Sequence, residues 1–344
     1  MISKKLLSRV SALLKIADYP GPFELFPMSG GKNNRVYLCS QNDQNIGVIK
    51  QYYHNKGDLR DRLDTEWKFS RFLWNHEIRQ IAEPVVSDPI NHIAFYSFIE
   101  GNKLNPARIA RSHIDQAIDF FFSMNSFRHS ADARLLPNAS EACFSLEDHI
   151  RLIERRILNL KKIKTRSKID TRAREFVDRE LVPVWDATRN ATCASAHNSG
   201  FLLNDTIPLD HRRLSPSDFG FHNALEDTNG RLYFMDFEYA GWDDPAKMVC
   251  DLFCQPAIPV PQQFLSHIID KVMTELCEPA IQRQRIDILL PVYRIKWCCI
   301  VLNEFLPLGR SRRMFTDCLM DSEAVKEEQL QKAIKIIQQV SDNL

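Results

Sequence analysis

The chain lacks a surplus of either charge: 45 Lys+Arg stand against 44 Asp+Glu in 344 residues, a formal net charge of +1. A balance this even supplies no global field for attracting nucleic acid or an anionic membrane, so a small-molecule partner is expected instead. It also lacks a long apolar run. No stretch reaches the roughly 18 uninterrupted apolar residues of a membrane span. The basic N-terminus, MISKKLLSRVSALLKIADYPG, breaks its apolar positions Leu6, Leu7, Val10, Leu13, Leu14 and Ile16 with polar residues. That is the pattern of an amphipathic helix, not of a signal peptide. The nine cysteines lack metal spacing: neither Cys250/Cys254 nor Cys298/Cys299 forms a C-x-x-C pair with histidine company. Reduced core cysteines and a soluble, cytoplasmic protein are expected. Repeats and low-complexity segments are missing too, and the basic stretch Lys161 to Lys168 is expected to be a solvated helix face.

What is present is enough apolar sequence, 44% against 26% charged, to bury a large core in two lobes. Strand-like and helix-like patterns alternate over the first hundred residues. From about Asn105 long helical periodicities dominate, except for a hairpin near residues 223 to 238. An α+β architecture follows. It comprises an N-terminal helix over 1–20, a small mixed lobe with an antiparallel sheet over 21–101, and a larger, mostly helical lobe over 102–344. The junction is IAFYSFIEGNKLNP, an apolar strand ending at Gly101, with Pro106 opening the next helix.

Gly30 and Gly31, in PMSGGKNNRVYLCS, precede a short alternating strand. They fit either a turn joining two strands or a loop whose backbone N–H groups approach phosphate oxygens. In the next strand, IGVIKQYY, Ile46, Val48 and Lys50 share a face. A lysine among apolar neighbours needs an anion, because an unpaired buried charge costs several kcal/mol or titrates. The following segment offers one: Leu59, Leu63, Glu66, Ser70 and Leu73 form one helical stripe, placing Glu66 on the inner face.

The densest signal is LSPSDFGFHNALEDTNGRLYFMDFEYAGWDDP. Asn229-Gly230 suits a two-residue hairpin turn of type I′, which sets Asn223 opposite Asp236. Leu232, Phe234 and Asp236 share a face, so the acid ends a buried stripe and needs a cation or donors. Carboxylate and amide oxygens suit magnesium. Asp218 lies five residues before Asn223. This D-x-x-x-x-N spacing followed by a later Asp is that of a kinase catalytic loop and its metal ligands. Asp218-Phe219-Gly220 spells D-F-G, yet it precedes the Asn, so Asp236 is the metal aspartate by position.

These segments resemble the aminoglycoside phosphotransferase and choline/ethanolamine kinase superfamily over about residues 20 to 255. The resemblance implies a bilobal protein-kinase-like fold and transfer of the γ-phosphoryl group of ATP, with Mg2+, to a hydroxyl of a small molecule. It also implies roles. Gly30, Gly31 and Asn34 would belong to the phosphate loop, Lys50 would hold the α- and β-phosphates, and Glu66 would orient it. Phe98 and Ile99 would lie near the adenine. Asp218 would be the base, Asn223 and Asp236 the magnesium ligands, and Asp251 a brace for the catalytic loop. One departure stands out: Pro216-Ser217-Asp218 replaces the family's usual His-Gly-Asp. A catalytically weak or dead nucleotide-binding scaffold is the alternative it raises. For the acceptor, Glu238, Asp243 and Asp244 suggest an acidic rim, and Trp242, Tyr293 and Trp297 suggest cation–π faces, suiting an amino alcohol or amino sugar. Surface acids and packing aromatics explain the same residues, and a neutral sugar stays open. No A-P-E segment follows Asp236, so a protein acceptor is not expected.

Overall fold

A computed structural model of the protein describes residues 2–28, 33–55, 60–307, 315 and 322–342. The first lobe is a five-stranded antiparallel sheet of spatial order β1-β2-β3-β5-β4. Its strands are β1 Glu24–Met28, β2 Arg35–Gln41, β3 Gln44–Gln51, β4 Pro84–Asp88 and β5 Ile93–Tyr96. Helix α1 (Lys4–Ile16) starts where the Ser3 hydroxyl accepts from the Leu6 amide at 3.2 Å. Its buried stripe, Leu6, Val10, Leu13 and Leu14, packs with Tyr37, Ile49 and Phe95 of the sheet. The first residues are therefore part of this lobe's core.

Helix α2 (Arg62–Asn75) is capped by Asp61, which accepts from the Asp64 amide at 3.0 Å. Leu63, Glu66, Ser70 and Leu73 are all buried, as their spacing predicts. Leu59 lies outside the described residues. Phe69, Phe72 and Leu73 join the core of the second lobe, with the Phe69 ring 5.4 Å from that of Phe237. Thus α2 carries Glu66 toward the sheet and anchors the two lobes to each other.

The apolar strand expected to run to Gly101 stops at Tyr96, and residues 97–101 lie outside any strand. Pro106 opens only a 3-10 turn, Pro106–Arg108. The second lobe contains two small antiparallel sheets. One is β6 (Asn102–Lys103) beside β8 (Ala224–Glu226) and β9 (Leu232–Phe234), and the other is β7 (Arg213–Ser215) beside β10 (Gly241–Asp243). Gly241 has φ 155°, and an added Cβ would lie 2.3 Å from the Pro137 carbonyl oxygen, so only glycine fits there.

The helices are α3 (Arg111–Ser126), α4 (Leu146–Leu160), α5 (Lys168–Phe176), α6 (Val182–Asn198), α7 (Pro245–Cys254), α8 (Leu265–Met273), α9 (Pro279–Val301) and α10 (Ser322–Ser341). A π-helical turn, Val177–Leu181, joins α5 to α6. Helix α9 is central, packing against α4, α6, α7, α8 and α10. The basic stretch Lys161 to Lys168 is largely exposed, but it forms the link between α4 and α5 instead of a helix face. The cysteines among the described residues are free. Among the described residues no helix is long and apolar enough to cross a membrane.

Candidate active site

Lys50 leaves β3 toward the cleft and is buried. Its Nζ donates to Glu66 Oε2 at 2.6 Å and to Asp236 Oδ1 at 2.5 Å, so β3, the next helix and a segment 186 residues on meet at one ammonium. Burial opposes the lysine's charge, but Asp236, Glu66 and Glu238 together hold its pKa well above the ordinary value. Glu66 feels the converse. Burial pushes its carboxyl up to about 7, aided by Asp236 and Glu238 and opposed by Lys50. Acids outnumber cations here: Glu66, Asp236 and Glu238 offer oxygens all within 4.8 Å of one another.

Glu238 is 1% exposed, so it is not part of an acidic rim. Its two oxygens accept from Asn33 Nδ2 at 2.7 Å and Asn34 Nδ2 at 2.6 Å, and Arg62 Nε lies 3.7 Å away. Asn34 in turn accepts from the Tyr53 amide at 3.2 Å. Glu238 therefore ties the chain entering β2 to the segment that carries Asp236. Gly30 and Gly31, expected in the same loop, lie outside the described residues. Phe98 and Ile99 are half-buried in the link between the lobes.

The hairpin departs from the expected register by one residue. Ala224 faces Phe234 and Leu225 faces Tyr233, so Asn223 meets Met235, whose amide donates to the Asn223 carbonyl at 2.9 Å. The cause is a longer turn. Asp227 Oδ1 accepts from the amides of Asn229 and Arg231 at 2.8 and 2.9 Å, and Gly230 takes φ 76°. Such side-chain capping favours a three-residue loop over the tighter turn.

Before the hairpin, Phe219 and Phe221 sink into the core, which turns Asp218 and His222 outward on the same side. Asp218 Oδ1 lies 3.2 Å from His222 Nε2, and Asn223 Nδ2 donates to the Asp218 carbonyl at 2.9 Å. Ser217 and Asp236 hold φ of 65° and 68°. Non-glycine residues in this left-handed region are uncommon and cluster at functional sites.

Behind the loop, the remaining acids each have a cation. Asp243 pairs with Lys247, which also donates to Ser217 Oγ at 3.3 Å. Asp244 accepts from Arg285 at 2.5 Å, contacts His149 Nε2 at 3.1 Å and caps α7 through the Ala246 amide at 2.8 Å. Burial raises its carboxyl, but Arg285 and His149 outweigh burial and hold it well below the carboxylate range. Asp251 meets Lys296 Nζ at 2.6 Å and Trp297 Nε1 at 3.0 Å. Asp243, Asp244 and Asp251 are all 0% exposed, so the first two form no rim. Asp251 reaches α9, and it is Lys247 that reaches the loop carrying Asp218, through Ser217.

A cavity of about 610 Å³ opens beside the loop. Asp218, His222, Asn223, Asp236 and Asn33 line it, together with Ser140, Glu141, Arg156, Lys296 and Trp297. Tyr293 is fully buried, and Trp242 turns its Nε1 to the Ala133 carbonyl at 3.0 Å. Sequence reasoning missed His222, Asn33, Arg62, Glu141 and Arg156. A contact four residues on in a non-helical loop carries no periodic signal, and the others are brought in by tertiary packing. Arg62 alone left a trace, as a cation in the first turn of an otherwise apolar helical stripe.

No family model and no curated protein sequence matches the chain. Solved structures do. A spectinomycin phosphotransferase in complex with ADP and spectinomycin superposes with a TM-score of 0.63 at 12% identity, over 96% of this chain and 98% of that one. A choline kinase from Streptococcus pneumoniae gives 0.55 at 15% identity, over 98% of this chain and 100% of that one. An ethanolamine kinase from Plasmodium vivax gives 0.55 at 15%, over 88% and 83%. The fold is that of the aminoglycoside phosphotransferases and the choline and ethanolamine kinases. In this kinase-like fold the cleft between the sheet lobe and the helical lobe is where Lys50, Glu66 and Asp236 meet.

Proposed function

We propose that the protein is a small-molecule kinase that transfers the γ-phosphoryl group of MgATP to a hydroxyl. The observation that carries this is that Asp236, which with Glu66 holds Lys50, lines the same cavity as the Asp218/Asn223 loop that sequence spacing alone had singled out. In this reading Asp218 takes the proton of the acceptor hydroxyl as its oxygen attacks the γ-phosphorus. The bond from that phosphorus to the bridging oxygen breaks, ADP departs, and the proton passes from Asp218 to solvent. His222 holds the Asp218 carboxylate from the opposite end of the loop. This supports the base where Pro216 replaces the usual histidine. Lys50 meets the α- and β-phosphates, Glu66 orients it, Asn33 and Asn34 steady the phosphate loop through Glu238, and Phe98 and Ile99 border the adenine.

The donor set suits magnesium. Asp236 is one of three clustered carboxylates, and Asn223 commits its nitrogen to the Asp218 carbonyl, leaving its oxygen for a ligand. Hard oxygen donors of this kind are what magnesium takes alongside phosphate oxygens. Asn223 and Asp236 would hold it, and once bound it would neutralise charge on the transferring phosphates. Catalysis then rests on positioning and on charge stabilisation, with the base contributing roughly 10²- to 10⁴-fold.

Asp218→Asn tests the assignment. The variant is expected to keep MgATP binding, read as a rise in thermal stability, and to lose ADP release in the presence of acceptor. Wild-type binding of MgATP without turnover on any acceptor would favour the scaffold alternative raised by Pro216. Equal turnover in variant and wild type would remove Asp218 as the base.

A further inference from the structure

The acceptor side of the cavity, beyond Asp218, differs in its chemistry from the nucleotide side. Glu141 stands on this wall at φ 61°, with its carboxylate against the Arg156 guanidinium. Burial raises that carboxyl, but Arg156, Lys296 and Lys247 outweigh burial and hold it below the usual range. The acid is therefore already compensated, with Arg156 as its direct partner. Across the whole cavity, cationic and acidic side chains are equal in number. The rings that line the cavity each have a cation nearby: Lys296 Nζ lies 5.8 Å from the Trp297 ring and the Arg60 guanidinium 5.6 Å from the Tyr239 ring. An ammonium placed here would meet an acid that is already compensated and rings that already have their cation. What the wall does offer is primary amides, Asn303 and Gln329, with Asn159, whose Oδ1 accepts from Lys162 Nζ at 3.0 Å. Glu304 beside them has an interaction of its own. Asn303 and Gln329 present neutral donors and acceptors suited to hydroxyl groups.

Resting on the kinase reading above, we propose that the acceptor is an uncharged polyhydroxylated molecule of the sugar type, and that the Glu141–Arg156 pair excludes cationic acceptors. Matched acceptors that exchange one hydroxyl for an ammonium test this: glucose with glucosamine and galactose with galactosamine, alongside neutral pentoses and polyols, ethanolamine and choline. ADP release is measured with MgATP, and thermal shift with MgATP is run in parallel. The expected result is turnover of at least one neutral acceptor, with kcat/KM at least tenfold above any ammonium-bearing molecule. Arg156→Gln, provided it keeps the MgATP shift, is expected to lower that preference at least tenfold by uncovering Glu141.

A preference for the ammonium member, or MgATP binding with no neutral acceptor turned over, overturns the inference and leaves nucleotide binding standing. An unchanged preference in Arg156→Gln overturns the role given to the pair. Absence of any MgATP shift in the wild type overturns the kinase reading itself.

Discussion

Two groups of buried acids in this molecule are handled in opposite ways. In the cleft between the lobes, Glu66, Asp236 and Glu238 crowd around Lys50, with Arg62 behind. In the layer beneath the Asp218 loop, Asp243, Asp244 and Asp251 have Lys247, Arg285 and Lys296 respectively. Glu66 and Glu238 are nearly as buried as the second group, and only Asp236 is partly exposed, so burial alone does not separate the groups. Matching does. A matched acid completes a scaffold, because removing either partner strands a charge. A surplus of carboxylate is tolerated only where raised pKa values or an incoming cation relieve it. Surplus of carboxylate, more than burial, is therefore what sets the Lys50 cluster apart from the layer of matched pairs.

Breaking a matched pair is expected to give the largest effect. Asp244→Ala leaves Arg285 uncompensated and removes the cap on α7. A loss of about 3–5 kcal/mol is expected in denaturant unfolding, the range for breaking a buried pair. A loss below about 1 kcal/mol would mean that the layer is not the scaffold described. Asp236→Ala makes the opposite kind of change, relieving a crowd. The protein without ligand should then be no less stable than wild type. The gain on adding MgATP at about a hundred times its dissociation constant, roughly 2.7 kcal/mol for wild type, should disappear. Retention of the full gain would take Asp236 out of the metal site.

Glu66 and Asp244, one acid from each group, should differ in the direction of their pH dependence, whereas burial raises the Asp243 carboxyl as it does that of Glu66. Glu66 rises from an ordinary 4.5 to about 7 on folding. The folded state thus binds its proton more tightly, so stability grows as pH falls through 7 and is lost as pH rises through it. Between pH 8 and pH 6 this is worth about 1 kcal/mol in the protein without nucleotide, and Glu66→Gln should flatten it. Asp244 is lowered instead. Its contribution is full above the ordinary 3.8 and is lost only as pH falls below that. Unfolding free energies measured at pH 8, 6 and 3.5 separate the two, and stability that climbs from pH 6 to pH 8 would contradict the account of Glu66.

Much of this was legible in the chain. The stripe Leu63, Glu66, Ser70 and Leu73 follows from periodicity, because burial repeats with the element. Lys50 is buried as expected, but against Glu66 and Asp236 and not on an apolar face: Ile46 and Val48 are half-buried, and the core residue of β3 is Ile49. The order Asp218, Asn223, Asp236 follows from spacing in a short hairpin. The hairpin register was missed by one residue, because Asp227 bonds the amides of its own turn, and that competition is not visible in the Asn-Gly signal. The fates of Glu238, Asp243 and Asp244 were illegible for a different reason. Whether an acid lies on a rim or inside depends on Arg62, Lys247 and Arg285. Of these only Lys247 is within helical reach of its acid. Glu141 and Arg156, fifteen residues apart in sequence, leave no pattern at all.

The smallest expected effect sharpens what matching means. Lys68 and Asp64 form an i,i+4 pair at 2.7 Å on α2, on the same helix as Glu66, with side chains 54% and 50% exposed. Its geometry resembles that of the pairs beneath the loop, but both ends stay in water. The Coulombic gain there is screened and is offset by the cost of ordering two long side chains. Lys68→Ala should change unfolding free energy by about 0.5 kcal/mol or less, and added salt should erase even that. A loss near that of Asp244→Ala would show that pairing stabilises this protein irrespective of burial, and the contrast between surplus and matched acids would then rest on distance alone. If the loss is small, what sets Asp244 and Asp251 apart is that no water can replace the partner they would lose.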